Sequence, residues 1–229
     1  MKKQLEALWR DAPAGSGEVF QARMTTDPRL LHAIAPGTRL AAAVRLGMHG
    51  EIKLGSRWHG FQAEQVIVPS RGMIWAARAS VFGLPVTGGD CVVDCAGLTQ
   101  FKALGLVTLV SAAGRDVARS AAGRMLGETG VWLPSALVHG PMTVCGETID
   151  QKFVAGDDGC YRGSSFLRWG NPDGGVYRYI DFGVVVEEEK TFSGYTIPVR
   201  IRAGWWIGTE RFEREGDFFH ATIDKVEYK

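Results

Sequence analysis

The sequence contains no run of eighteen apolar residues, so it offers no membrane-spanning helix. Its first residues, MKKQLEALWRDAP, carry two lysines but no apolar core. They do not read as a secretory signal, and the expected location is the cytoplasm. Neither charge is in excess: 26 Lys and Arg stand against 25 Asp and Glu, with a net charge of +1. No basic run is present to hold nucleic acid. The phosphate loops G-x-x-x-x-G-K-[ST] and G-x-G-x-x-G are missing, as are H-E-x-x-H and G-x-S-x-G. Gly163-Ser164-Ser165 comes nearest to a nucleophile elbow and lacks its pattern. These gaps disfavour the common nucleotide-binding and hydrolase classes and imply no cofactor. They leave open an enzyme built from scattered residues.

Cysteine is scarce. Cys91, Cys95, Cys145 and Cys160 lack the paired short spacing of a zinc site. Cys91 and Cys95 sit in an extended segment, roughly 13 Å apart along it, which is beyond disulfide reach. The expectation is four reduced thiols. Of the five histidines, His49 and His59 flank a hairpin but have no evident third ligand for a metal. His139 is the best single acid–base candidate.

Glycine is plentiful, with 30 residues, as tight turns require. From residue 44 the hydrophobic period is two: Val44, Leu46, Met48, Ile52 and Leu54 alternate with polar neighbours. That is a half-buried strand. Further strands are expected over 57–68, 73–82, 91–96, 98–111, 161–169, 180–186, 195–207 and 217–228. Gly88-Gly89-Asp90 reads as a break before the fourth. Hairpin spacing favours antiparallel pairing of roughly nine or ten strands. Helices are expected near residues 1–10, from Asp27-Pro28 to about Ile34, and over 114–128, with a very short one at 133–137. The predicted fold class is mainly β: a curved antiparallel sheet, an open half-barrel, with two or three covering helices. Residues 1–26 are expected to form an N-terminal helix and linker, and residues 27–229 a single β domain.

Seven tryptophans are many for this length. Trp205 and Trp206 are adjacent in a strand and so are expected on opposite faces. Arg124, Glu128 and Trp132 recur every four residues, and share a face if the helix continues to 132. The candidate site takes polar anchors from Arg124, Glu128, Arg168 and Tyr195, and walls from Trp132, Trp169 and Trp206. The 114–128 helix is expected to cover the sheet face bearing Arg200, Arg202 and Trp206. The competing reading is a satisfied structural ion-pair network. Glu187-Glu188-Glu189 reads as a solvated edge.

The stretches GDCVVDCAG, LGLVTLVSAAGRDVARSAAGRMLGETGVWLPSAL, RWGNPDGG and EEEKTFSGYTIPVRIRAGWWIGTERF resemble an uncharacterised bacterial family, a domain of unknown function. The resemblance runs from about residue 28 to the C-terminus. It supplies no catalytic residues, and the 145–165 region is short by comparison. It implies the open curved sheet of lipoprotein-carrier-like proteins, which hold lipid chains.

Two functions are expected to compete. The first is non-catalytic binding of an apolar or amphipathic small molecule or lipid between sheet and helices. The second is an isomerase- or cyclase-type enzyme that uses scattered acid–base groups on a hydrophobic metabolite.

Overall fold

The computed structural model describes residues 1–229. Eleven strands form one antiparallel sheet that does not close. They are β1 (Val44–Leu54), β2 (Arg57–Val68), β3 (Gly72–Val81), β4 (Leu84–Val93), β5 (Ala96–Ala103), β6 (Val107–Ala113), β7 (Lys152–Ala155), β8 (Tyr161–Gly170), β9 (Arg178–Phe192), β10 (Tyr195–Trp205) and β11 (Asp217–Tyr228). The spatial order is β6-β5-β4-β3-β2-β1-β11-β10-β9-β8-β7. Two meanders therefore lie side by side, joined where β1 pairs with β11, from Val44 opposite Tyr228 to Ile52 opposite Phe219.

Three helices cover the sheet: α1 (Lys2–Arg10), α2 (Pro28–Ala33) and α3 (Arg115–Trp132). None is long and apolar enough to cross a membrane. α1 packs Leu5 and Leu8 on one sheet face, against Ala43, Val66, Val68 and Ile74. Burying each leucine is worth about 1.5–3 kcal/mol. α2 starts as expected: the Asp27 carboxylate accepts from the Arg29 amide at 2.9 Å, and Pro28 takes the first helical position.

α3 crosses the other, concave face. It connects the outermost strand of one meander, β6, to that of the other, β7. Its inner side is Ala121, Ala122, Met125, Leu126 and Val131, in one core with Leu46, Ile67, Met73, Val199 and Ile201. Small residues let the helix lie close: a Cβ at Gly97 of β5 would overlap the Ala118 backbone.

Four expectations are corrected. Gly88-Gly89-Asp90 does not break the chain but lies inside β4, paired with β3 and β5. The 98–111 stretch is not one strand, because Leu104-Gly105 turns between β5 and β6. The helix runs four residues past Glu128, which places Trp132 in its last turn. Cys95 and Cys145 are bonded across a sequence separation of 50, so only Cys91 and Cys160 are free. The spacing of Cys91 and Cys95 says nothing about this pair, because the connection between α3 and β7 brings Cys145 to the β4–β5 turn.

Candidate functional site

Between α3 and the concave face lies a cavity of about 220 Å³. Its walls are mostly apolar and aromatic, including Trp75, Phe101, Trp132, Phe166, Phe182 and Phe219. Its polar lining is Asp90, Thr99, Arg124, Glu128, Gln151, Ser164 and Arg168. Mostly apolar walls with a few placed polar groups are the usual composition of a small-molecule site.

The two arginines differ. Arg124 projects from α3 and is fully paired: Nε donates to Glu128 at 2.8 Å, and Nη1 donates to Asp90 at 3.2 Å. Thr99 donates to the other Asp90 oxygen at 2.8 Å, and the buried Gln65 amide donates to Glu128. Burial pulls the Arg124 guanidinium down, but Glu128 and Asp90 more than offset it and hold it above its ordinary value.

Arg168 projects from β8, is 8% exposed, and makes no ion pair. It donates from Nε to the Ser120 carbonyl at 3.1 Å and from Nη2 to the Ser120 hydroxyl at 3.3 Å. Its guanidinium carbon sits 4.6 Å from the Phe182 ring centre and 5.0 Å from that of Trp205. Burial, and then the neighbouring Arg124 charge, lower it to about 10; Asp90 and Glu128 oppose this only in part. It remains charged at neutral pH. The Trp75 indole, on the cavity wall, has a buried N–H with no acceptor.

Four of the seven residues expected at the site line this cavity: Arg124, Glu128, Trp132 and Arg168. Trp132 also donates its indole N–H to the Pro198 carbonyl at 3.1 Å. The other three lie elsewhere. Tyr195 is buried under the β9–β10 end of the sheet, where its hydroxyl donates to the Arg39 carbonyl and accepts from the Ala41 amide, both at 2.8 Å. Trp169 is outside the cavity, donating to Asp116 at 2.8 Å, with Arg119 3.8 Å over its ring. Trp206 has left the strand, with φ of +57°, and lies under Arg211 at 3.6 Å.

α3 covers the Ile197, Val199 and Ile201 face of β10, not the face bearing Arg200 and Arg202. Those arginines find carboxylates on the neighbouring strands and on the β10–β11 connection: Arg200 pairs with Glu187 and Glu188, and Arg202 with Asp217 and Glu213. Glu189 is not part of a solvated edge, since it accepts from the Tyr161 amide and meets His32 at 3.2 Å. His49 pairs with Asp224, His59 meets Phe82 edge to face, and His139 meets Glu18 at the surface. Sequence reasoning missed Asp90 and Trp75. Asp90 had a visible signal, a carboxylate between buried-type strand residues, but its glycine neighbours read as a turn.

The fold and cavity define the class: a mainly β protein with an open curved antiparallel sheet wrapped around a covering helix. The chain belongs to a family of unknown function, DUF6920, whose profile matches residues 30–228. Among curated proteins none matches it. Solved structures similar to it include a LolA superfamily protein from Nitrosomonas europaea, at 10% identity over 82% of this chain and 87% of that one, with a TM-score of 0.40. Another is a DUF1329 family protein from Desulfovibrio piger, at 10% identity over 82% and 86%, with a TM-score of 0.39. Likenesses this distant say nothing of what the chain binds.

Proposed function

We propose that this protein binds a small amphipathic molecule, without catalysis, in the cavity between α3 and the sheet. The observation that carries the reading is Arg168, a buried guanidinium that has no carboxylate of its own and lines an aromatic cavity. A buried charge is costly unless paired. The orphan Trp75 N–H on the same wall also calls for an acceptor. A ligand with an anionic head and an apolar body satisfies both. Its body is small: the volume lies above the ~150 Å³ that admits benzene and below the ~300 Å³ at which drug-sized pockets begin.

The enzyme reading has less support. No histidine, cysteine or lysine lines the cavity, and both carboxylates are already engaged by Arg124. As for location, the Cys95–Cys145 bond favours an oxidising compartment over the cytoplasm expected from the sequence.

Native mass spectrometry of gently purified protein, and thermal shifts with matched ring-sized and short-chain acids and alcohols, test the proposal. Acids are expected to raise the melting temperature more than the alcohols do, and Arg168→Met to abolish the difference. No shift with any acid at millimolar concentration, and no co-purifying mass, would reject it.

A further inference from the structure

The turns at one end of the sheet carry residues that the fold itself does not call for. In the β1 to β6 meander, the β1–β2, β3–β4 and β5–β6 hairpins all turn at the same end. Successive tips along such a row stand about 10 Å apart. They touch: His59 of the first meets Phe82 of the second edge to face, with ring centres 5.2 Å apart. The Leu104 amide of the third donates to the Pro85 carbonyl of the second at 2.9 Å.

This ridge exposes Leu54, Phe82, Leu84, Leu104, Leu106 and Val107, with Phe82 at 71% and Leu106 at 84%. Two of these sit where apolar residues are least suited. Phe82-Gly83 and Leu104-Gly105 both have positive φ at both central turn positions. That geometry favours Asn or Asp first, and a bulky residue there is an outlier. At the opposite end of the sheet, the corresponding positive-φ positions are Asp94 and Ser193. The strained, solvent-facing Phe82 and Leu104 therefore contribute nothing to the turn that a polar residue would not do better.

Charge on the ridge is equally one-sided. Residues 51–60, 77–87 and 99–110 include Lys53, Arg57, Arg78 and Lys102 against the single carboxylate Glu51. None of these four cations makes an ion pair. On the next tip, residues 206–216, Arg211 pairs with Glu215 and Arg214 with Glu210.

We propose that the three-hairpin ridge docks on a lipid surface bearing anionic headgroups, with Phe82, Leu104 and Leu106 entering the interface. Apolar tips flanked by free cations match the apolar boundary and negative potential of such a surface. A second copy of this chain fits poorly, since a two-fold contact sets each patch against itself and four unpaired cations against four. The ridge also borders the cavity: Ile52 and Phe101, both in its wall, stand two residues from Leu54 and Ala103 at the tips.

Co-sedimentation with phosphatidylcholine vesicles, with and without phosphatidylglycerol, tests this using the double variant Phe82→Asn, Leu104→Asn. Asn suits both turns, so the variant is expected to melt no lower than the parent yet to partition at least tenfold more weakly. Replacing Lys53, Arg57 and Lys102 by Gln should weaken binding to anionic vesicles about fivefold per cation. Parent protein that ignores anionic vesicles, or a double variant that binds them equally, overturns the proposal. So does a parent dimer in sedimentation velocity that the double variant disperses, which would make the ridge a contact between copies. Cavity binding is read separately by the acid thermal shift, so either proposal can fail alone.

Discussion

Gly127 of α3 lies against the Phe166 ring of β8 so closely that a Cβ at position 127 would overlap two ring carbons. This contact sets how near the covering helix comes to the sheet, and Phe166 is also a cavity wall. Gly127→Ala gains about 1 kcal/mol in helix propensity but forces the ring or the helix to move, at about 1–3 kcal/mol. The expected result is a net loss of stability in urea denaturation, together with a smaller thermal shift by acids as the ring turns into the cavity.

Arg168→Met is expected to leave the ligand-free protein as stable as the parent, or more so. Arg168 is held at about 10 in the fold, well below its ordinary value. The unfolded chain therefore binds this proton more tightly, and the group's contribution to stability rises with pH only between those values. At neutral pH the charged group is a cost on the order of 3 kcal/mol. Urea denaturation at pH 7 checks this, and a clear loss of stability would show that Arg168 is a structural prop.

Arg124→Ala is expected to be severe, because it leaves the largely buried Asp90 and Glu128 without their shared cation. The expected loss is about 3–5 kcal/mol. Glu128→Gln retains an acceptor for Arg124 and is expected to cost only about 1–2 kcal/mol. Denaturation curves for the pair separate charge from shape.

Thiol titration under denaturing, non-reducing conditions should find two thiols, Cys91 and Cys160. A fifty-residue separation between Cys95 and Cys145 corresponds to about 4 kcal/mol of loop-closure stabilisation. Reduction should therefore lower the melting temperature. Four titratable thiols in protein isolated from an oxidising compartment would contradict the bond.

Tyr195→Phe should cost about 1–3 kcal/mol, since it leaves a buried carbonyl and amide without their bridging hydroxyl. Ligand-induced thermal shifts should be unchanged, because the hydroxyl is remote from the cavity.

Much of the architecture was legible because it rests on local signals. The alternation from Val44 to Leu54, the Asp27-Pro28 helix start and the four-residue spacing of Arg124, Glu128 and Trp132 are all read within one element. The errors arose where distant segments decide. Leu104 adopts a turn conformation that its own side chain disfavours, so a lone glycine, Gly105, was the one local mark of the β5–β6 boundary. Trp206 continues the alternation of β10 in sequence, but the chain turns there. The face of Arg200 and Arg202 was expected under the helix because their carboxylates, Glu187, Glu188, Glu213 and Asp217, lie on other segments of the chain. Tyr195 resembled a site residue for the same reason: its acceptor, Arg39, is 156 residues away.

The seam between β1 and β11 bears on how the molecule is made. β1 to β6 pair only with sequence neighbours until β1 meets its last partner, residues 217–228. A ribosome must therefore release the chain through β11 before the halves can join. Until then β1 presents an open edge, the kind of surface that invites mispairing on nascent chains. A chaperone that shields residues 44–54 during synthesis would act at the one point where the two halves become one sheet.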